Sequence, residues 1–420
     1  MTHFRNKDFQ YFGIKILILI GFAFFILQCQ SEKSSNSTVS KILKVQPEFV
    51  TSAPHGRLAI AGENEDKIQV LTVWGTPYEM GKAHGVLLKN EITDHVQNMI
   101  QLMVEKAGKP VALLDQVYAE TKPFIPAHFI EEMQGLADGS GLPLQDIIRA
   151  NIIGEAGEWH CSLFGAWGKA TAADGHLYQL RSLDYETGAN IQKYPLIVVY
   201  VPENGHPFAN ITWAGVVGCI SGISLEKLAI SEIGDDYHKE RDTFAGIPFM
   251  FLLRDILQFD KSLDEAINRV RNAQRTTSLM YGIGDGEFGE LRGLQTSREV
   301  CNVFSPENLE PVTDAHQRIE DIVYWGMSWD VPEYDGPLHD KLLEYYGKIN
   351  AEVIINDIVS SVGTGNLQTV VYDLTAMQIW VANAKADHES GELDAYNRQF
   401  LQFDMNAIFA GAIQNSNENN

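Results

Sequence analysis

The chain has 420 residues, of which 45% are hydrophobic and 21% charged, proportions typical of a globular protein rather than a disordered or fibrous one. Its formal net charge of −23 at pH 7 makes the surface repel the phosphate backbone of nucleic acid. The sequence contains no cluster of Lys and Arg that would reverse this repulsion locally, so we expect no nucleic-acid partner.

The first residues of the chain are typical of an export signal. Arg5, Lys7 and Lys15 precede an apolar run over 16–27. A run of about a dozen residues is shorter than the roughly 20 that a transmembrane helix needs, which favours a cleaved signal over a permanent anchor. Cys29 follows at once, and a polar, Ser-rich stretch comes after it.

This order of features resembles the signal of a bacterial lipoprotein. The resemblance implies a signal peptide over 1–29, lipid on Cys29 and a membrane-anchored protein of the bacterial envelope. Residues 30–66 would form the tether and the start of a proregion. Gln28 departs from the small residue usual before such a cysteine, and the alternative is a plain export signal in a secreted or lysosomal protein.

The segment 67–160 is predicted to be mainly helical. The alternation of residues over 68–74 predicts one strand, and the spacing of apolar residues predicts helices over 90–106, 127–137 and 143–152.

From Cys161 onward the pattern changes to strands. Helices are predicted at 248–258, 262–274 and 351–360, and the polar tail 415–420 is expected to be frayed. This succession predicts an α+β fold in which helices pack on the outer faces of stacked sheets. Strands are predicted over 161–171, 177–184, 196–201, 208–213, 216–220, 228–231, 278–283, 367–372 and 378–382.

The first of these strands starts with a cysteine and is followed by a tight turn. Asp174-Gly175 lies midway between Cys161 and Leu183, so strand pairing should bring Arg181 and Asp184 beside Cys161. A cation next to a thiol favours the thiolate, and a carboxylate can hold an amine. The alternative is a buried structural cysteine with Arg181 and Asp184 as an ion pair.

The hairpin from Cys161 to Asp184 resembles the start of the mature chain in the autoproteolytic acyltransferase/hydrolase family, typified by acyl-coenzyme A:6-aminopenicillanic acid acyltransferase. These are N-terminal-nucleophile hydrolases, more distantly similar to acid ceramidase, N-acylethanolamine acid amidase and bile salt hydrolase. Stretches 75–85, 132–141 and 364–373 are also similar to the family, so the resemblance covers about 70–385.

The resemblance implies a four-layer αββα sandwich and a chain that cuts itself between His160 and Cys161. The products would be an α-chain, the proregion up to residue 160, and a catalytic β-chain, 161–420, which remain together as a heterodimer. Cys161 would supply the nucleophilic sulfur and, through its freed amine, the base, with Asp184 holding that amine. Arg181 would stabilise the thiolate or bind the acyl carbonyl, and no cofactor or metal is implied.

Amide bonds of N-acyl compounds are the expected substrates. Lipid amides such as ceramide or N-acylethanolamines are favoured, because a membrane tether would place the enzyme where they reside. One alternative is an acyltransferase, in which an amine or thiol resolves the acyl-enzyme. Another is a catalytically silent, acidic surface lipoprotein, although intact Cys161, Arg181 and Asp184 argue against it.

Several groups are candidates for donating a hydrogen bond to the oxyanion. Relatives often carry an Asn just beyond the strand that corresponds to 228–231, where this chain has Glu232, a residue that could alter substrate choice or be a solvated loop charge. A backbone amide, Asn308 or Asn366 could serve instead.

Other motifs are weaker. The dinucleotide-type glycine pattern at 284–289 contains two acidic residues and is interpreted as a turn, while His84 and His95 lack a third metal ligand. A Cys219–Cys301 disulfide is one option for the remaining cysteines, and Asn36 and Asn210 begin glycosylation sequons that matter only in a eukaryotic secretory route.

Overall fold

The computed structural model describes residues 40–106, 108–157, 160–188, 190–235, 242–326 and 335–419. The predicted signal peptide, the lipidation site Cys29 and the sequon at Asn36 lie outside these ranges. Within the described ranges, no helix is both long and apolar enough to cross a membrane.

Seventeen strands are found in the described ranges and form two sheets. Numbered β1 to β17 along the chain, they are Ile42–Lys44, Glu48–Ala53, Gly56–Glu63, Asp66–Gly75, His160–Ala166, Tyr178–Asp184, Pro195–Pro202, Phe208–Trp213, Gly222–Ser224, Leu228–Gly234, Leu279–Asp285, Glu290–Thr296, Cys301–Phe304, Ile322–Trp325, Gln368–Asp373, Gln378–Asn383 and Phe400–Asp404.

The larger sheet has ten strands in the spatial order β13, β12, β11, β10, β9, β8, β7, β4, β3 and β2. Its strands pair antiparallel except for β4 and β7, which are parallel. A parallel pair needs a long crossover, and this one carries the helices that precede Cys161 together with the hairpin of β5 and β6. The chain before Cys161 therefore contributes three strands, β2 to β4, to the sheet that strands after Cys161 complete.

The smaller sheet has seven strands in the order β1, β17, β16, β15, β6, β5 and β14. Every residue of its interior strand β6 is buried, because the other sheet covers one face and helices and loops cover the other. The two sheets face each other through apolar side chains: a Cβ on Gly165 of β5 would lie 2.7 Å from the side chain of Leu291 on β12.

Helices pack on the outer faces of both sheets. Numbered α1 to α11, they are Pro77–Leu87, Lys89–Gln101, Val111–Thr121, Ala127–Ser140, Leu144–Ile152, Phe249–Phe259, Leu263–Asn272, Asp335–Glu344, Ala351–Val353, Ser360–Val362 and Met405–Asn419. Helices α1 and α6 contact the larger sheet and α9 contacts β15 of the smaller one, which gives the predicted αββα sandwich.

The two glycine-containing stretches before Cys161 pack against each other as α1 and α4. A Cβ added to Gly81 would lie 2.0 Å from the carbonyl oxygen of Glu132, and one added to Gly135 would lie 2.1 Å from that of Tyr78. Real Cβ atoms do not approach backbone so closely, so these glycines allow the two helices to touch along their backbones. This contact explains why the stretches 75–85 and 132–141 contain glycine at helical spacing.

Most predicted elements are present within a few residues of their expected bounds, including α7, whose N-cap Ser262 accepts a hydrogen bond from the backbone of Glu265. Two predictions are wrong. Residues 216–220, within a described range, form a loop rather than a strand, and the polar tail up to Asn419 continues helix α11 instead of fraying. Strands β1 to β3, β9, β12 to β14 and β17, and helices α1, α3, α8 and α11, were not predicted.

Candidate active site

The hairpin of β5 and β6 brings the three predicted residues together. Cys161 pairs with Leu183, Leu163 with Arg181, and His160 with Asp184. Cys161 thus lies two positions from Arg181 in the ladder and one from Asp184. Its side chain is fully buried, and the strand is continuous through the His160–Cys161 bond.

Arg181 and Asp184 act on opposite faces of the small sheet. The side chain of Leu163 points between the sheets, 3.2 Å from the Cβ position of Gly282 on β11, and side chains alternate along a strand. Cys161 and Arg181 therefore face the interior between the sheets, whereas Asp184, which pairs with His160, faces the other way. The thiol and the carboxylate lie on either side of the backbone around Cys161.

Arg181 forms a buried ion pair that crosses from one sheet to the other. Its Nη2 donates to Oε2 of Glu232 on β10 at 3.2 Å, and both side chains are inaccessible to solvent. Burial raises the pKa of Glu232, while Arg181 opposes the rise. The interpretation of Glu232 as a solvated loop charge is wrong, because β10 continues through Gly234 and carries this carboxylate into the interior.

Two of the three guanidinium nitrogens of Arg181 take no part in this ion pair. Within the described part of the chain, Nε and Nη1 of Arg181 have no hydrogen-bond partner, although both are buried. Unpaired buried donors are costly, and they are normally matched by water or a ligand group. They face the same space as the Cys161 thiol.

The environment keeps the thiol protonated in the uncut chain. Burial raises the pKa of Cys161 well above its usual range, and the charges of Glu232 and Asp184 raise it further. Arg181 and a hydrogen bond from the backbone of Asp184 act in the opposite direction. Removal of a proton from this sulfur therefore needs a base close by.

Asp184 is held by a turn that precedes β15. Its Oδ1 accepts hydrogen bonds from the backbone nitrogens of Gly365 and Asn366, at 2.7 and 2.9 Å, and its Oδ2 accepts one from the hydroxyl of Thr364 at 2.6 Å. Burial raises the pKa of Asp184, and these three bonds lower it. The turn at 364–366 thus fixes the position of the carboxylate beside the His160–Cys161 bond, a role that the resemblance of 364–373 to the family did not reveal.

The side chains of the two candidate oxyanion donors, Asn308 and Asn366, form hydrogen bonds away from Cys161. The side chain of Asn366 bonds both backbone groups of Tyr185, and that of Asn308 closes an exposed turn with Ser305 and Val303. Neither amide points at Cys161. The free nitrogens of Arg181 are the better placed side-chain donors.

Polar side chains from the region before Cys161 hold the loop that replaces the predicted strand 216–220. Asn151 accepts from the backbone nitrogen of Val217 at 2.6 Å and donates to the carbonyl oxygen of Gly215, whose nitrogen donates to His84 at 3.1 Å. His95 contacts the carbonyl oxygen of Ala214 at 2.7 Å. Both histidines are therefore structural groups in the core.

The weaker motifs have structural explanations. Residues 284–289 comprise the last two residues of β11 and the turn at 286–289 that leads to β12. No group of three potential metal ligands occurs in the described ranges. Cys219 and Cys301 are both unpaired thiols. Asn210 is fully buried and its amide donates to the carbonyl oxygens of Val217 and Gly218, so this sequon is not accessible in the folded chain.

Comparison with known proteins identifies the family. No family model matches the sequence. Two proteins of Dictyostelium discoideum match it over most of its length. Protein dcd1A is 32% identical over 92% of this chain and 98% of its own length, and dcd1B is 31% identical over 88% of this chain and 80% of its own length. The chain belongs to the family of dcd1A and dcd1B.

More distant matches agree with the resemblance drawn from the hairpin. The N-acylethanolamine-hydrolyzing acid amidase of mouse is 25% identical over 41% of this chain and 48% of its own length. Among solved structures, its Caenorhabditis elegans ortholog covers 51% of this chain and 93% of its own, with 17% identity and a TM-score of 0.41. The sequence match to this amidase agrees with the resemblance drawn from the hairpin.

Proposed function

We propose that this protein hydrolyses the carbon–nitrogen bond of N-acyl amides, using Cys161 as a nucleophile that becomes N-terminal when the chain cuts itself after His160. The observation that carries the proposal is the register of β5 and β6, which sets the thiol beside a buried cation and the backbone at Cys161 beside a buried carboxylate. The relation to amidohydrolases supports the class of reaction.

Self-cleavage would begin at the His160–Cys161 peptide bond. The sulfur of Cys161 attacks the carbonyl carbon of His160 and a C–S bond forms. The C–N bond then breaks, and the proton of the thiol passes to the nitrogen. Water then hydrolyses the thioester, which leaves a carboxylate on His160 and a free thiol and amine on Cys161. The nitrogen changes from an amide, which is no base, to an amine with a pKa of roughly 7.7 to 8.0.

The same groups would then serve the substrate. The freed amine takes the thiol proton as the sulfur attacks the amide carbon, and it returns the proton to the leaving nitrogen. Asp184 is placed to hold this amine, because it pairs with His160 across the ladder. Arg181 offers two unpaired donors to the oxyanion, on the face where the thiol lies. Water hydrolyses the acyl-enzyme and releases the acid.

The acyl portion is proposed to be a lipid chain. The name of the mouse relative specifies N-acylethanolamines, and ceramide has the same N-acyl amide bond. We also propose that the chain is exported and anchored through Cys29, which would bring it to a membrane that contains such amides.

Identification of the new N-terminus tests the mechanism. We expect purified protein to contain a chain that begins at Cys161, and Cys161→Ala to remain uncut and inactive on N-dodecanoylethanolamine. Cys219→Ala is the matched control, since Cys219 is also a buried thiol without a disulfide, and it should be cut and active. Activity in Cys161→Ala, or a mature chain that begins elsewhere, would contradict the proposal.

A further inference from the structure

A pocket lies next to the peptide bond that is proposed to be cut. It has a volume of about 230 Å³. One wall is formed by residues 154–157, which end three residues before His160, and the opposite wall includes Gly234 and Asp235. Gly234 lies two residues beyond Glu232 on β10 and therefore on the same face of the strand as the partner of Arg181. The Cα of Gly234 is about 7 Å along the strand from that of Glu232. The pocket therefore lies close to the ion pair of Arg181 and Glu232.

Carboxylates dominate the charged lining of this pocket. Among the described residues that line it, Glu155, Asp235 and Asp242 are acidic and Lys109 is basic. Lys109 donates to the carbonyl oxygen of Ala156 at 2.5 Å, and Asp242 accepts from the backbone and hydroxyl of Ser278, both at 2.7 Å. The described part of the lining therefore carries more negative than positive groups.

The carboxylate of Glu155 is a second, independent indication that this pocket binds a polar group. Only 5% of this residue is exposed, and its Oε1 accepts a hydrogen bond from the backbone nitrogen of Phe249 at 2.8 Å. Its Oε2 is buried and has no hydrogen-bond partner of good geometry in the described part of the chain, although the nearby hydroxyl of Thr276 acts to lower the pKa of Glu155. The hydroxyl of Thr277, which also lines the pocket, lacks a partner as well. Buried polar atoms without partners are rare in folded proteins, and a bound polar group would satisfy them.

We propose that this pocket binds the amine portion of an N-acyl substrate and that Glu155 selects an amine that carries an organic ammonium group. The inference rests on the proposed function. The volume equals that of roughly eight water molecules, which suits a short amine better than a long acyl chain. A charged donor satisfies the free oxygen of Glu155 better than a neutral one, since hydrogen bonds between charged groups are the stronger ones.

Glu155 stays in place after the proposed cut. It belongs to a turn whose residues Ile153 and Ala156 are packed in the core, so cleavage after His160 frees the chain only beyond this turn. The leaving amine would form next to Cys161 and a few residues from the pocket. An acceptor amine in the reverse direction would use the same site, because its chemistry is the same.

Two substrates of equal length test the inference. N-dodecanoyl-1,4-diaminobutane ends in an ammonium group, and N-dodecanoyl-4-aminobutan-1-ol ends in a hydroxyl. For the cut wild-type enzyme we expect kcat/KM to be roughly tenfold or more higher for the ammonium compound. Glu155→Gln should bring the ratio close to one, whereas Glu352→Gln, a change at an exposed carboxylate on helix α9 beside the smaller sheet, should keep it.

The pH dependence of this ratio separates charge recognition from a structural role. Burial raises the pKa of Glu155 to about 7, so its carboxylate becomes charged as the pH rises through that value. The ratio should therefore increase between about pH 6 and 8 in wild type and stay flat in Glu155→Gln. Taking a ratio cancels the titration of the catalytic amine. Asp235, Asp242 and Lys109, the other titratable groups of the lining, are present in both proteins.

A second measurement needs no variant and covers the case in which Glu155→Gln does not fold or mature. Butylammonium should inhibit hydrolysis of the hydroxyl compound competitively, and butanol should not. Formation of N-butyldodecanamide would support the site and identify the bound ammonium as an acceptor. Equal rates on both substrates, or a preference unchanged in Glu155→Gln, would overturn the inference while leaving the proposed function intact. Absence of any hydrolysis together with an uncut chain would instead contradict the proposed function.

Discussion

Replacement of Glu132 by Gln should strongly destabilise the protein, because this residue neutralises a fully buried cation across the proposed cut. Glu132 lies on α4, before Cys161, and Arg254 lies on α6, after it. Oε2 of Glu132 accepts from Nη2 of Arg254 at 2.6 Å, and each side chain is 1% exposed. The guanidinium also lies 4.3 Å from the ring centre of Tyr200 and donates to the carbonyl oxygen of Val217 at 2.9 Å.

The expected loss in the free energy of unfolding is large because the charge of Arg254 would remain in the core after its ion-pair partner is removed. A glutamine keeps the hydrogen-bond acceptor but leaves Arg254 without an opposite charge in the core. Loss of one partner of a buried ion pair typically costs about 3–5 kcal/mol, and the neighbouring aromatic ring offsets only part of this. Glu131→Gln provides the control, since Glu131 is the adjacent residue on the same helix and is exposed.

Urea unfolding in the background of Cys161→Ala measures this effect on a chain that we expect to remain uncut. Glu132→Gln should lower the free energy of unfolding by about 3–5 kcal/mol, and Glu131→Gln should change it by less than about 0.5 kcal/mol. In protein with wild-type Cys161, the same substitution should promote separation of the α- and β-chains on gel filtration. Equal stability of the two variants would refute the reasoning, because it would mean that Arg254 does not depend on Glu132.

Three further predictions concern other contacts. Burial lowers the pKa of His84 to about 3 and that of His95 to about 4, so both side chains are neutral in the folded protein. The stability that these buried neutral histidines contribute is complete above about pH 6.5, and it is lost as the pH falls toward the two lowered pKa values, because the unfolded chain then binds protons that the folded chain does not. The loss of melting temperature between pH 7 and pH 5 should therefore be smaller in a variant with both histidines changed to Gln, and an identical loss would exclude this role. Gly81→Ala should cost at least about 3 kcal/mol in thermal unfolding, because its methyl group would press on backbone of α4, whereas Gly411→Ala, where a Cβ meets nothing within 4 Å, should be neutral or slightly stabilising. Asp184→Asn should slow the appearance of the cut chains on a gel at least about a hundredfold, with the fold retained by circular dichroism, since the amide oxygen can still accept from Gly365 and Asn366 but brings no charge to the new amine. Self-cleavage at the wild-type rate would contradict this placement of Asp184.

Contacts close along the chain were predictable from the sequence. The strands on either side of the Asp174-Gly175 turn pair as a hairpin, so the sequence alone places Arg181 and Asp184 near Cys161. The strands are joined by residues 167–177 rather than by a tight turn, so the exact register of the pairing was decided by the structure. The strand–helix–strand succession likewise indicated the stacked sheets with outer helices.

Contacts between distant segments were decided by the tertiary structure. Glu232 is 51 residues from Arg181, and the turn at 364–366 is about 180 residues from Asp184. Nothing in the local pattern distinguishes such a carboxylate or turn from one in solvent. Only the stacking of β10 on β6 and the pairing of β15 with β6 bring them to the site.

The wrong prediction of a strand at 216–220 also results from contacts between distant segments. The apolar residues there favour a strand, but a strand forms only where a neighbouring strand satisfies its backbone. In this fold Asn151 and His84, more than 60 residues earlier, bind that backbone as a loop. The sequence by itself thus determined the hairpin that contains Cys161 and the class of fold, because both follow from local period and turn chemistry. The partner of Arg181, the support of Asp184 and the pocket at residues 154–157 depend on which distant surfaces meet, and only the packed structure specifies that.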